Sequence, residues 1–240
     1  MRIHQYLSKT GIFSKKEKAR DAIKKGEIRI GQKTIFSEQY MFDEKKERVY
    51  YKDNPLKIKN KVLIAMNKPK NYVCAKLSLQ EKKLKKKSIY ELLPENMQHL
   101  SCIGRLDEDS EGLLLMTNDG DFLQKIINKN TKIEKKYVVT TKKELTQEDI
   151  DKLSQGTIII LEENGKKTNY KTKPCKIKKI NKNEIEMTLL EGKKRQIRRM
   201  IKSVNNDVKK LKRIQIGKYF LDEKKLKKGK YEEIEKENIN

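Results

Sequence analysis

The stretch Gly104-Arg105-Leu106-Asp107-Glu108-Asp109-Ser110-Glu111-Gly112-Leu113-Leu114-Leu115-Met116-Thr117-Asn118-Asp119-Gly120 decides the fold. A polar, acidic segment runs without a break into an apolar run, Leu113–Thr117, which reads as a buried strand. Asn118-Asp119-Gly120 is a turn, and Phe122, Leu123, Ile126 and Ile127 after it fall on one face of an amphipathic helix. In an extended segment Arg105 and Asp107 face one way while Leu106 turns to the core. Asp107, Asp109 and Glu111 alternate like the start of a calcium loop, but Asn118 stands where the bidentate Glu belongs, so calcium is not expected. Glu108, Asp109 and Glu111 read as an acidic surface turn. Asp107, held between Leu106 and a glycine-bounded strand, stands apart from them.

Outward from this centre the pattern is α+β, with strands outnumbering helices. Val62–Met66 is a buried strand closed by the turn Asn67-Lys68-Pro69-Lys70-Asn71. Strands are predicted at Lys136–Thr140 and near Thr157–Leu161 and Glu184–Leu190, with a helix starting at the capping residue Thr146. In Lys193–Met200 the cations Arg195, Arg198 and Arg199 share one helical face, opposite Ile197, Met200, Ile201 and Val204. Lys76–Lys87, with six lysines and one glutamate, reads as an exposed mobile loop.

The first sixty residues form a separate pattern. Ile3 and Leu7 lie one helical turn apart before Gly11, and Ser14-Lys15-Lys16-Glu17 is a capping box for a second helix that ends at Gly26. Ile28 and Ile30 then alternate, Gly31-Gln32 turns the chain, and Thr34–Phe36 returns as a hairpin. Two small basic helices on a hairpin suit RNA. The polar stretch Lys52–Lys61, with Asn54-Pro55, is a boundary.

Composition narrows the function. The 240 residues carry 59 Lys and Arg against 34 Asp and Glu, a formal charge of +25 that calls for a polyanionic partner. Lys, Ile and Asn share A/T-rich codons, so the charge is read as support for RNA or DNA binding and not as proof. The apolar runs fall far short of the ~20 residues that span a bilayer, and no signal peptide is expected. Cys74, Cys102 and Cys175 are widely spaced and odd in number, which fits neither a disulfide framework nor a zinc pair and makes the cytoplasm the expected compartment. With His4 and His99 the only histidines, the chemistry falls to carboxylates, Tyr, Lys or Arg.

Gly104-Arg105-Leu106-Asp107 with Glu111–Gly120 resembles the signature of pseudouridine synthases of the RsuA type. Arg2–Ile35 resembles an S4 RNA-binding domain, Asn67-Lys68-Pro69 the family's first catalytic strand and turn, and Lys136-Tyr137 its Tyr motif. Glu191-Gly192 with Arg195–Met200 resembles the third motif, and Ile216-Gly217 with Leu226 and Gly229 the closing segment. Asn71 replaces the usual Gly, Cys102-Ile103 the usual Pro-Val, and Arg195 a frequent His.

The resemblance implies an α+β protein: an S4 domain over residues 1–60, a mainly antiparallel catalytic domain over 61–232, and a frayed tail over 233–240. It implies isomerisation of uridine to pseudouridine in ribosomal RNA, or in a pre-ribosomal particle, by a monomer without metal or cofactor. Asp107 is then the nucleophile, on the ribose or on the uracil ring. Arg105 fills the vacated base stack or grips a phosphate, Tyr137 stacks on the uracil, Arg198 orients Asp107 with Arg195 as the alternative, and Leu190 walls the pocket. Arg2, Ser14, Lys15, Lys16, Lys18, Arg195 and Arg199 are expected on RNA. The competing reading is a non-catalytic S4-type RNA-binding factor in ribosome assembly.

Overall fold

The computed structural model describes residues 1–13, 16–128, 131–163 and 165–239. The chain divides into two compact units, Met1–Lys61 and Val62–Asn240. The first holds helices α1 (Ile3–Thr10) and α2 (Lys16–Lys24) and strands β1 (Ile28–Ile30), β2 (Lys33–Thr34), β3 (Val49–Tyr51) and β4 (Asn54–Pro55). These strands pair in the order β2-β1-β3-β4. Ile3, Leu7, Ile23, Ile28 and Val49 make its core. Gly11 ends α1 in the left-handed conformation at φ 65°, as its place in the sequence predicts. The predicted capping residue Ser14 and its neighbour Lys15 lie outside the described residues.

In the second unit the chain runs β5 (Leu63–Lys68), β6 (Tyr72–Val73), α3 (Leu79–Lys83), β7 (Lys87–Ser88), β8 (Ser101–Ile103), β9 (Glu111–Thr117) and α4 (Gly120–Ile127). It continues through β10 (Lys135–Thr141), α5 (Gln147–Ser154), β11 (Ile158–Glu163), β12 (Lys166–Lys171), β13 (Lys176–Asn181) and β14 (Glu184–Leu189). It closes with α6 (Gln196–Lys202), β15 (Val208–Ile216), β16 (Tyr219–Phe220) and β17 (Tyr231–Glu233). The main sheet has the order β13-β14-β10-β15-β9-β5-β17 and is antiparallel except where β15 meets β9.

Strand β9 is buried along its whole length because both faces of the sheet are covered. Leu113 and Leu115 point to one core with Ala65, Phe122 and Ile216; Leu114 and Met116 point to another with Ile64, Met66 and Leu100. At Gly112, φ is +101°, and a Cβ there would collide with the Arg213 carbonyl oxygen across the parallel pair. The glycine therefore lets β15 approach the start of β9. Asp119, read as part of a turn, caps α4 by accepting from the amides of Asp121 and Phe122. The capping box at Thr146 forms as predicted.

Two expectations change. Lys76–Lys87 is not a bare loop: Ser78 caps the short helix α3, and β7 pairs with β6. Of the tail expected over 233–240, the described residues 233–239 are not frayed, and Asn240 lies outside the described residues. Ile239 is buried at 1% exposure beside Leu221 and Leu226, its carbonyl accepts from the Lys218 amide, and Lys236 pairs with the buried Asp119. Two isoleucines, Ile234 and Ile239, outweigh the acidic composition that suggested fraying. Ile239→Ala is therefore expected to lower stability by about 2 kcal/mol in a urea titration, near the lower end for a buried Ile; a frayed tail would leave the midpoint where it was.

Candidate active site

The segment Gly104–Ser110 joins β8 to β9, and its backbone is held from beneath by one lysine. Lys68, the last residue of β5, is fully buried. Its Nζ donates to the carbonyl oxygens of Ser110 at 2.7 Å and of Asp107 and Pro69 at 3.1 Å each. Burial pushes the amine below its ordinary pKa, while Cys74 and the carboxylates of Asp107, Asp109 and Glu108 favour its charge. Asn71, left-handed at φ 69°, donates its amide to the Glu108 carbonyl at 2.7 Å, so it does the work of the glycine it replaces. The Ser110 amide closes the segment onto the Asp107 carbonyl at 3.0 Å.

The alternation read from sequence appears in the burial. Leu106 is buried in the core that contains Tyr137, Leu189 and Ile197, Arg105 is exposed, and the Asp107 side chain is about a third exposed, at 32%. Tyr137 lies on β10 at 8% exposure, so its ring and Leu106 share one apolar cluster under the segment. Leu190, expected to wall the site, falls just past β14 and is half-buried. The period of two along that strand turns Ile185, Met187 and Leu189 inward, and Leu189 joins the cluster of Leu106 and Tyr137.

The arginines divide their work differently from the sequence expectation. Arg198 pairs with Asp109, Nη2 to Oδ1 at 3.1 Å, and also donates to the Asp109 carbonyl at 3.1 Å and to the Ser110 hydroxyl at 3.4 Å. It clamps the segment through Asp109, not through Asp107. Arg195 contacts both carboxylates, Asp109 at 3.2 Å and Asp107 at 3.8 Å, so the alternative candidate is the one nearer the Asp107 carboxylate. The two sit one helical turn apart, and only Arg195, at the exposed start of α6, reaches past Asp109. Burial would raise the Asp109 carboxyl, but the Arg195 hydrogen bond and the two arginine charges outweigh it and hold it below the usual carboxylate range. Arg199 turns back to the Lys194 carbonyl at 2.9 Å. In the first unit Arg2, Lys16 and Lys18 are exposed.

Sequence reasoning passed over a second anchor. Glu191 accepts from Gln196 Nε2 at 2.7 Å, from the Tyr170 hydroxyl at 2.6 Å and from the Lys173 amide at 2.9 Å. It thereby ties the β11–β12 hairpin to the first turn of α6. The Tyr170 phenol is pushed up to about 12, chiefly by its hydrogen bond to Glu191. Arg195 itself is left-handed at φ 53°, a conformation that costs an ordinary residue about 1–2 kcal/mol and presents its guanidinium to the two aspartates. Glu108 stays on the surface with Lys86 at 2.9 Å, but Glu111 does not. Its side chain is 7% exposed between Lys228 at 2.8 Å and Lys210 at 3.3 Å.

A family profile described as RNA pseudouridylate synthase matches residues 62–203. The chain belongs to that family. Among relatives of this synthase, an uncharacterized RNA pseudouridine synthase of Borreliella burgdorferi is 32% identical across 100% of the chain and 92% of the relative. The uncharacterized RNA pseudouridine synthase YtzG of Bacillus subtilis is 32% identical across 100% of the chain and 97% of its own length. The dual-specificity RNA pseudouridine synthase RluF of Escherichia coli is 32% identical over 90% of the chain and 70% of the relative. The chain is an RNA pseudouridine synthase of the RsuA/RluF type. A crystal structure of a pseudouridylate synthase superposes with a TM-score of 0.67 at 26% identity, covering 100% of the chain and 98% of that structure. The sheet-rich α+β fold of the synthase is thus shared.

Glu111 gives a pH test of how the segment is fixed. Burial works to raise its carboxyl, but Lys228 and Lys210 outweigh it, so the folded pKa lies below the ordinary value. A depressed carboxylate stabilises the fold above the unfolded pKa of about 4.3 and loses that contribution as pH falls through the folded value. Glu111→Gln is expected to cost about 1–3 kcal/mol at neutral pH in chemical denaturation. That difference should shrink below about pH 4; a cost unchanged at acid pH would refute the ion-pair account.

Proposed function

We propose that this RNA pseudouridine synthase isomerises a specific uridine in ribosomal RNA with Asp107 as its nucleophile. One observation carries the reading: Asp107 stands partly open at the head of a segment whose backbone Lys68 holds and whose flanks Arg195 and Arg198 neutralise. A partly open carboxylate beside a fixed guanidinium is placed to act as a nucleophile on the ribose or the uracil ring. Uridine and pseudouridine are isomers, so the reaction needs neither an oxidant nor a group donor. The target base must leave its stack to reach Asp107, at a cost of a few kcal/mol. Exposed Arg105 is suited to fill the vacated space or hold a flanking phosphate. Tyr137, packed against Leu106, is suited to stack on the uracil, with Leu189 behind it. The competing reading, an assembly factor without activity, is disfavoured by the family and by the retained Asp107, Arg105 and Tyr137.

Recognition is divided between two units in this account. Residues 1–60 act as an S4 RNA-binding domain, supported by two short helices on a small sheet and by exposed Arg2, Lys16 and Lys18; Ser14 and Lys15 belong to the same expected surface. Residues 61–232 are the catalytic domain, where Arg195 and Arg199 add phosphate contacts that place the RNA without reading its sequence. The partner is ribosomal RNA or a pre-ribosomal particle, and the synthase works as a cytoplasmic monomer. Shape and single-stranded bases select the uridine.

Pseudouridine mapping of both ribosomal RNAs in cells with and without the protein tests this reading. One pseudouridine is expected to vanish, to return with the wild type, and to stay absent with Asp107→Asn, whose RNA affinity should remain within a few-fold of wild type. Full restoration by the variant would remove Asp107 from the chemistry, and an unchanged map would remove ribosomal RNA as the substrate.

A further inference from the structure

We propose that Cys74 and Cys102 form an oxidant-reactive dithiol beneath the Asp107 segment, a modification site that peroxide converts to a disulfide. Cys74 follows β6, Cys102 lies at the centre of β8, and both thiols are free and half-buried. The Cys102 thiol donates to the Cys74 carbonyl oxygen at 3.9 Å, and both cysteines pack against one buried cluster. The Tyr90 hydroxyl stands 4.0 Å from Cys102 Sγ. The Leu106 amide, one residue before Asp107, also donates to the Cys74 sulfur. The pair is thus joined by a hydrogen bond to the segment that carries the nucleophile.

Cations make one member of the pair a nucleophile. Arg213 is buried at 2% exposure and gives its Nε to the Leu113 carbonyl at 2.7 Å. Its buried Nη2 has no hydrogen-bond partner among the described residues, and its charge acts on both sulfurs. Lys68 adds a second positive group near Cys74. Together with the neighbouring Cys102 thiol, the largest influence, and the Leu106 amide, they hold the Cys74 thiol below its ordinary value against its burial. The Cys102 thiol is raised by the adjoining Cys74 thiol and by burial, so it keeps its proton. Cys175 is an internal control: burial pushes it up to about 11, and its thiol bonds to the Leu153 carbonyl at 3.6 Å.

The chemistry balances with hydrogen peroxide as oxidant. The Cys74 thiolate attacks one peroxide oxygen, the S–O bond forms, the O–O bond breaks, and the departing hydroxide takes a proton to become water. Cys102 sulfur then attacks Cys74 sulfur; the S–S bond forms, the S–O bond breaks, and the hydroxide leaves as water with the Cys102 proton. The two sulfurs supply the two electrons that reduce peroxide to two waters. Drawing Cys74 into a disulfide takes an acceptor from the Leu106 amide, so oxidation is expected to lower turnover.

The test uses the full chain exposed to a small excess of hydrogen peroxide, then thiol blocking and peptide mapping. A dithiothreitol-reversible cross-link between the Cys74 and Cys102 peptides, lighter by two hydrogens, is expected while Cys175 still alkylates. In Cys102→Ser, peroxide should add oxygen to Cys74 without a cross-link; if that variant does not fold, the wild-type map decides alone. Two thiols that stay fully alkylatable, or a Cys175 oxidised ahead of them, would overturn the proposal. Turnover should fall several-fold on oxidation and recover on reduction, and a cross-linked enzyme at full rate would overturn the coupling to Asp107. Only this last arm rests on the synthase reading; the thiol map stands independently of it.

Discussion

A lysine amine removed from water is unfavourable unless other oxygens replace its hydration. In this synthase the replacement comes from the backbone of the segment that carries Asp107. Lys68 is fully buried, and its three amine protons are directed at the carbonyls of Ser110, Asp107 and Pro69. The dependence is mutual. Without those carbonyls the amine would have no tolerable place at the end of a buried strand, and without the amine the carbonyls of Ser110 and Pro69 would lose this donor. Hydrogen bonds to a charged group contribute about 1.5–3 kcal/mol each, so this one side chain fixes the Asp107 backbone more firmly than any contact of the exposed carboxylate.

From that point the site extends through electrostatics and packing. Arg198 and Arg195 grip Asp109, and Arg195 reaches on toward Asp107. Their helix is positioned in turn by Gln196 and Glu191, with Tyr170 and Lys173 on the other side of the carboxylate. Gly112 brings β15 against the far end of the segment, and β15 delivers Arg213 inward. A rigid floor with a partly open carboxylate above it suits the isomerisation proposed for this site. Pre-positioned charge avoids reorganisation at the moment of reaction.

Much of this was legible in the residues themselves. The apolar run 113–117 announced the central strand, the alternation Arg105-Leu106-Asp107 announced which side chain turns inward, and Thr146 announced the start of α5. The bland surface reading held for Glu108 and failed for Asp109 and Glu111. Their partners, Arg195, Arg198, Lys210 and Lys228, are distant in sequence, and a local reading cannot supply them. Lys209–Arg213 holds four cations in five residues, yet Leu211 and Arg213 point inward because the segment is a strand with period two. Asn67 and Lys68, read as the start of a turn, close the buried strand β5 instead, and the role of Lys68 depends on a loop about forty residues away that only the fold brings to it. The choice between Arg195 and Arg198 likewise turned on a left-handed residue at the start of a helix, which periodicity does not foresee.

The most direct test of this dependence is the single-turnover rate of uridine isomerisation by Lys68→Met, measured beside its RNA affinity and thermal midpoint. The account predicts a folded protein with a lowered midpoint, RNA affinity within a few-fold of wild type, and a rate reduced about a hundredfold, the scale expected when a reacting group is misplaced by about 1 Å. A variant that isomerises at the wild-type rate would show that the Asp107 segment does not depend on the Lys68 amine, and the account would be wrong at its centre.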